Sequence, residues 1–448
     1  MHDAISVEDL HRPAVALANE GFVTDGRSAA SNKGMPLLRI VPETVPCECN
    51  VKENADAGIR SAMAQIIEAL TKPLSAEEQA PKRKERGTPS RIAFKGQMEE
   101  FDRFFYKRGW GDGLPLRPPT EGAVREMLAG TDLPPDHMVG EIVPRHGKAT
   151  VEKIAVNAVM AGALPTHMPI LIACVEALAD PQAHLGAYGT STGSWMPFWI
   201  INGPVRKDAR VNSGSGAMSP GDIANAAIGR TMGLIVKNVG GARKAIEDMG
   251  VYGNPGKYSC VAGENEEMSP WEPLHVEQGL ASADSAVTLF FPNCYSQIWQ
   301  YGSDDKGILA TWIYNLPPGR SGLTCLLMTP TQAKTLARKG WTKPMIRKYV
   351  YEYGRVPAYR HPGSYDGGGW TGRNPETVPP NAMDAAAIVP SPEHIRILVL
   401  GGPGAFMGLA CGGGLPGGQF VTKKVNLPSG WSKLVAKYKS LVPAYERY

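Results

Sequence analysis

Apolar residues recur at helical spacing between Asn54 and Leu70. Ile59, Ala62, Met63, Ile66, Ile67 and Leu70 fall on one stripe. Upstream, Asp3 to Leu10 fits a helix and Ala14 to Ala18 a short buried strand. Arg27 to Asn32 fits a second helix and Leu37 to Val41 a second strand. Short βα alternation implies parallel strands covered by helices. Two strands alone do not make a stable parallel sheet, which needs neighbours and cover on both faces. The missing strands are therefore expected on another polypeptide. The competing reading, that this segment adds to the sheet of the main domain, is the less favoured.

Residues 71–91, TKPLSAEEQAPKRKERGTPSR, lose the periodicity and are Pro-rich and charged, a linker composition. From Ile92 the pattern is helical and strand-like in one long block. Helices are predicted over Met98–Tyr106, from a Thr120 cap to Leu128, after a Thr150 cap, through Pro169 to Leu178, and over Asp222–Val239. The last carries small residues along one side, which suits close packing. Trp195–Ile201, Ala286–Phe291, Leu323–Met328 and Ile395–Leu400 read as strands. The fold class is α/β: an incomplete parallel βα half-domain over 1–70, a linker over 71–91, and a large α/β domain over 92–448.

Composition changes this picture little. Hydrophobic residues are 43% and charged residues 20% of 448, enough for a large core. The 51 Gly and 38 Pro imply many turns and ordered loops, where chemistry tends to sit. A net charge of +4 without a basic run interleaved with aromatics argues against nucleic-acid binding. The first residues have no apolar signal-peptide core, and no run of 18 apolar residues suggests a membrane span. Cysteines number seven, with only Cys47 and Cys49 close together, so reduced thiols in a cytoplasmic protein are expected.

Five stretches offer chemistry. Gly111-Asp112-Gly113 sets one acid on a tight turn, which is also an ordinary way to enter a capped helix. Gly189 to Ser194 presents Thr190, Ser191, Thr192 and Ser194 as donors to an anion or a carbonyl oxygen, or to their own backbone. Asn212 to Gly216, then Pro220-Gly221-Asp222, leads into a helix bearing Arg230, which suits a carboxylate clamp or a plain ion pair. No P-loop lysine is present. Residues 253–277 gather Cys260, Glu264, Glu266, Glu267, Glu272, His275 and Glu277 beside Trp271. Carboxylate, imidazole and aromatic together suit general acid–base work, while an exposed acidic loop is the bland alternative. Glu272-x-x-His275 has di-iron spacing, but Pro273 and the lack of a second copy weigh against a metal. Finally, Ile395–Leu400 runs into GGPGAFMG and then Cys411. Gly402, Gly404 and Gly408 match a dinucleotide loop only loosely, and Cys411 among glycines is approachable as a thiol. No cofactor and no metal are predicted.

These strings carry a family resemblance. HDAISVEDLHRPAVAL and GMPLLRIVPE resemble the tail of the motif domain in the UGSC-motif (seleno)protein family. From Gly111 on, GDGLPLRPPTEGAVREML, ATVEKIAVNAVMAGALP, IGRTMGLIVKNVGGAR and NPGKYSCVAGENEEMSPWEPLHVE are similar to the long domain that accompanies it. The Cys- or selenocysteine-Gly-Ser-Cys motif itself is not among the residues of this chain, so no residue here inherits its role. The resemblance implies a split arrangement in which a small partner chain carries the motif and the first strands.

The expected function is a subunit of a heteromeric cytoplasmic enzyme acting on a small organic substrate. The partner's sulfur would act as redox centre or nucleophile. Glu264, Glu267 and His275 would move protons, Cys260 or Cys411 would serve as a resolving thiol, and Thr190 to Ser194 with Arg230 and Asp112 would hold the substrate. Two alternatives stand beside it: a cofactor-independent lyase or hydratase using the same carboxylates and imidazole, and a non-catalytic scaffold subunit.

Overall fold

The structure is a computed structural model, and it describes residues 2–45, 52–81, 90–318, 322–357, 359–360, 385–413 and 418–441. The chain begins with α1 (His2–Asp9), β1 (Ala16–Asn19), α2 (Val23–Asn32), β2 (Ile40–Glu43) and the long α3 (Lys52–Thr71). β1 and β2 pair in parallel, Ala16 opposite Ile40, and form a sheet of these two strands. Only the small residues Gly58 and Ala62 of α3 are buried. Ile59, Met63, Ile67 and Leu70 of the predicted stripe are exposed instead, at 43%, 42%, 53% and 38%. A large apolar side chain in water forfeits roughly 1.5–3 kcal/mol of burial, so this face is open for cover.

The expected linker is partly folded. Ser75 and Glu78 form a capping box on α4 (Ala76–Gln79). Arg39 ties this turn back to β2, donating to Glu78 and to the carbonyls of Ala69, Lys72 and Pro73. Lys82 and its basic neighbours lie outside the described residues, as do Cys47 and Cys49.

The main block continues with α5 (Met98–Lys107), α6 (Glu121–Leu128), the hairpin of β3 (Met138–Ile142) and β4 (Gly147–Thr150), then α7 (Val151–Ala161), α8 (Met168–Ala179) and α9 (Leu185–Tyr188). β5 (Phe198–Asn202), α10 (Val205–Asp208), α11 (Ile223–Asn238), β6 (Val261–Gly263), α12 (Leu274–Glu277), β7 (Ala286–Phe290) and β8 (Cys294–Trp299) follow. The last third holds α13 (Asp305–Asn315), β9 (Leu323–Met328), α14 (Pro330–Arg338), α15 (Lys343–Tyr353), β10 (Arg355–Pro357) and β11 (Ala385–Ala387). It closes with β12 (Ile395–Val399), β13 (Phe406–Gly413), β14 (Val421–Lys424) and α16 (Trp431–Leu441).

Two mixed four-stranded sheets organise the block, in the orders β14-β7-β5-β6 and β12-β9-β13-β8. β5 runs parallel to β6 and antiparallel to β7, while β12 runs parallel to β9 and β13 antiparallel to β9 and β8. The period-2 alternation of side chains then builds layers. Trp199, Ile201, Val287 and Leu289 face α7, α8 and α11. Phe198, Ile200, Phe290, Leu327 and Leu398 meet between the sheets. Leu326, Met328, Ile397 and Leu409 face α13, α14 and α15. The order is helices, sheet, sheet, helices. Central strands buried on both faces read as continuous apolar runs, which hides their direction.

α11 meets its neighbour through its small residues, as expected. A Cβ on Gly229 would stand 2.3 Å from Ser259 Oγ, and one on Gly233 2.8 Å from the Lys257 carbonyl. The glycine run after β12 turns into β13, an antiparallel strand, and not into a helix, so the dinucleotide-loop reading of Gly402, Gly404 and Gly408 lacks its helix N-terminus.

Asn225 of α11 is the polar bolt here. Its amide accepts from Asn212 N–H and donates to the carbonyls of Asn212, Ala217 and Val261. Asn225→Ala removes the acceptor of Asn212 N–H and the donor to three carbonyls, and is expected to cost about 2–3 kcal/mol. Asn225→Asp turns an oxygen toward the carbonyls and is expected to cost at least as much. Denaturant unfolding of both variants checks this, and wild-type stability in either contradicts it.

Candidate functional site

Three of the glycine- and acid-rich stretches converge at one end of the sheets, outside the C-terminal ends of β5, β6 and β12. Gly263 N–H donates to Asn212 O, Asn265 N–H to Val399 O and Gly401 N–H to Ser213 O. Such an end is where ligands of open α/β sheets bind. Beneath it lies a charged network. Glu264, fully buried, accepts from Leu274 N–H at 2.7 Å and Asn202 Nδ2 at 2.7 Å, with Lys343 Nζ at 3.4 Å. Lys343, at the start of α15, also reaches the Glu272 carbonyl at 2.7 Å and Glu277 Oε1 at 2.5 Å, the latter off the direction a hydrogen bond needs. Arg347 completes the chain to Glu277 at 3.1 Å.

Burial raises the Glu264 carboxyl above its ordinary range, against the Lys343 charge and the two hydrogen bonds. Glu267 behaves oppositely. Burial alone would raise it, but hydrogen bonds from Arg206 and Lys207 pull it to about 2. It serves here as a counter-ion for Arg206 and Lys207. His275 is fully buried, and neither ring nitrogen has a hydrogen-bond partner among the described residues. Residues 264–277 are therefore not exposed throughout: Glu264 and His275 are core groups, whereas Glu267 and Glu272 are exposed. Cys260 is also in the core between the sheets. Burial pushes its thiol to about 12, so it stays protonated and is a poor resolving thiol.

The hydroxyl loop lies at the opposite end of β5, on the order of 15 Å away along the strand. The structure thus separates Thr190, Ser191, Thr192 and Ser194 from Glu264, Glu267 and His275. Thr190 Oγ1 donates to Gly186 O and Ser191 Oγ accepts from Gly193 N–H, so both serve their own turn. Thr190 and Thr192 use their carbonyls to hold Met249 and Val251 N–H. Ser194 differs. It adopts φ 54, a left-handed conformation costly for a non-glycine, and its buried Oγ has no hydrogen-bond partner among the described residues, like the neighbouring Trp195 Nε1. Asn293 Nδ2 donates to Gly193 O at 2.5 Å, and Asn293 N–H to Cys411 O. Cys411 therefore belongs to this end, with Cys294 Sγ 3.4 Å from its sulfur.

The N-terminal unit docks next to this loop. Ser28 of α2 donates to Glu247 Oε1 at 2.7 Å and accepts from Arg145 at 3.0 Å, and Arg145 and Arg243 both pair with Glu247. Burial alone would raise Glu247, but hydrogen bonds from Arg243 and Ser28 and the Arg145 charge pull it to about 2. Asp25, one turn before Ser28, is pushed up to about 6 by burial and by the Glu247 charge. Nothing in the sequence marks Asp25 as special, because its environment comes from residues more than 200 positions away.

Arg230 and Asp112 hold each other. Two contacts of 2.7 and 3.0 Å make a bidentate pair, and Arg230 also donates to the carbonyls of Leu114 and Pro115. The guanidinium is engaged by the Gly111–Pro115 turn, the ion pair that was the alternative expected for it. A cavity of about 280 Å³ lies beside this turn, lined by Asp102, Arg103, Tyr106 and Leu116 among others. Among the described residues no group of three or more His, Cys, Asp or Glu is arranged to hold a metal ion, and no helix is long and apolar enough to cross a membrane.

The fold and these two ends define an α/β protein with a small parallel βα unit docked on a double-sheet block. The N-terminal segment is similar to the UGSC family, whose model matches residues 1–72. The match covers the docked unit and not the block behind it. No curated protein and no solved structure matches the chain.

The raised Glu264 carboxyl predicts a pH effect. The folded protein holds this proton more tightly than the unfolded chain does. The group's stabilising contribution is full below the ordinary carboxyl range and is lost as pH rises through the raised value. Lys343→Met removes the nearest cation and is expected to cost about 3–5 kcal/mol at neutral pH. That deficit should shrink toward acidic pH, where Glu264 takes its proton, and Glu264→Gln in the same chain should recover part of it. Unfolding free energies measured across pH test this, and a deficit independent of pH contradicts it.

Proposed function

We propose that the chain is one subunit of a heteromeric enzyme that acts on a small organic substrate by thiol chemistry, at the end of the block where the N-terminal unit docks. The observation that carries this reading is the open βα unit. Its two parallel strands and the exposed Ile59, Met63, Ile67 and Leu70 stripe match what a further set of strands would cover. The UGSC-family match to this segment supports a small partner chain with a Cys-Gly-Ser-Cys motif as that cover. The unit is bolted by Ser28, Arg145 and Glu247 beside the Thr190–Ser194 loop, so a partner sulfur on it would face a carbonyl or anion held by the Ser194 region.

In this reading the proton is moved by Asp25. A carboxyl near 6 serves both as acid and as base close to neutral pH. The partner's thiolate supplies the nucleophile or the electrons. The Glu264–Lys343 pair, with His275 next to the Leu274 that donates to Glu264, supports a second reading, a cofactor-independent lyase or hydratase working at the other end of the sheets. A raised carboxyl beside an ammonium, and an imidazole with no hydrogen-bond partner among the described residues, favour it.

Two measurements separate these. The small chain should bind this chain, and Ile59→Glu with Met63→Glu should weaken that binding at least tenfold while leaving the fold of the block intact. In the complex, reactivity of the partner's motif thiols toward an aromatic disulfide should change through pH 6, and Asp25→Asn should remove that step. Unaltered binding by the stripe variant sinks the split-unit reading. A pH step that survives Asp25→Asn removes Asp25 from the chemistry.

A further inference from the structure

The cysteines of the block fall into two groups. Cys174, Cys260 and Cys325 are buried in apolar cores, and burial raises each thiol above its ordinary range. Such thiols are inert toward soluble oxidants, because the thiolate is the reacting species. Cys294 and Cys411 differ in position. They face each other directly across the antiparallel pair of β8 and β13. Their sulfurs stand 3.4 Å apart, and Cys294 Sγ also lies 3.6 Å from the Cys411 carbonyl. Opposed residues on antiparallel strands have Cα separations of about 4.5–5.5 Å, inside the roughly 4.4–6.8 Å span of disulfides. Cys294 is half-buried at the start of β8, the edge strand of its sheet, whereas Cys411 is 1% exposed.

We infer that Cys294 and Cys411 form a reversible dithiol–disulfide site, with Cys294 as the thiol that meets a small soluble disulfide and Cys411 as the thiol that resolves it. The Cys294 thiolate attacks one sulfur of the soluble disulfide, forming a mixed disulfide and releasing one thiolate. The Cys411 thiolate then attacks Cys294 Sγ, forming the internal bond and releasing the second thiol. Two protein thiols lose their hydrogens and one soluble disulfide becomes two thiols, so atoms and electrons balance. The asymmetry in exposure sets the order, and the close sulfurs make the second step intramolecular.

The site is linked to its surroundings. Asn293, adjacent to Cys294, donates from its backbone to Cys411 O and from its side chain to Gly193 O. Asn254 Nδ2 donates to Ser194 O and Asn293 O. Oxidation therefore reaches the hydroxyl loop through two asparagines. The inference rests on this chain alone and stands or falls without any partner chain.

The test uses the full chain and oxidised glutathione. After treatment and alkylation without unfolding, peptide mapping should find one Cys294–Cys411 bond, no glutathione on Cys294 or Cys411 of the wild type, and full recovery of both thiols with dithiothreitol. Cys411→Ser should trap glutathione on Cys294 in close to every molecule, since no thiol remains to resolve it. Cys294→Ser should leave Cys411 unmodified. A wild type that accumulates glutathione on Cys294 as Cys411→Ser does would overturn the inference, because Cys411 then does not resolve. So would glutathione appearing on Cys411 in Cys294→Ser. The wild-type map decides the matter even if a variant fails to fold.

Discussion

One fully buried carboxylate carries the junction of the double-sheet block. Glu264 sits just past β6 and takes a backbone N–H from α12, a side-chain amide from the end of β5 and the ammonium of Lys343 from α15. These partners belong to the helix and sheet layers of different halves. Apolar packing alone allows two sheets to slide over one another at little cost, because burial is non-directional. A charge in the interior does not, since leaving it unpaired costs several kcal/mol. Ion pairs of this kind add little net stability against an apolar replacement, but they penalise wrong alignments. Glu264 and Lys343 are therefore best understood as setting the register of one layer against the next.

A second buried charge repeats this logic at the other end. Glu247, 1% exposed, collects Arg145, Arg243 and Ser28, and so ties the βα unit to the block. The docking is polar and specific. It also places Asp25 where the Glu247 charge and burial both disfavour its ionised form. The carboxyl raised here follows from the bolt that attaches the unit, so anchoring and pKa tuning have one cause.

Much of the fold was legible because helices announce their ends. Thr120 and Thr150 accept from the N–H groups of Ala123 and Lys153 as capping residues should. The small-residue side of α11 foretold its close approach to residues 257–259. Strand direction was less legible. β5, β7, β9 and β12 are apolar on both faces, so period-2 alternation vanishes and parallel and antiparallel neighbours look alike. β8 was passed over because its burial is patchy, with exposed Tyr295 and Trp299. α13 to α15 carry the same signals, with Asp304, Thr329 and Thr342 as capping residues, so their starts were equally open to reading. The hydroxyl loop and the acidic stretch each read correctly as dense in polar groups. Their separation could not be read, because it depends on which end of a strand each one flanks.

That separation has a consequence for how the chain's chemistry is divided. A carboxyl, an ammonium and an imidazole with no exposed atoms on the carboxyl or imidazole form the Glu264 end. The strained Ser194, the Cys294–Cys411 pair and the docked unit form the other. Strain at a non-glycine residue persists only where the surroundings enforce it, and here Asn293 and Asn254 hold the carbonyls of the two peptides that flank the Ser194 Cα. The Glu264 end is rigid because its charges are matched, and the Ser194 end is held because its backbone is pinned. Rigid support at one end of a strand and a pinned, strained loop at the other is the arrangement that lets a loop carry function while the sheet bears the load.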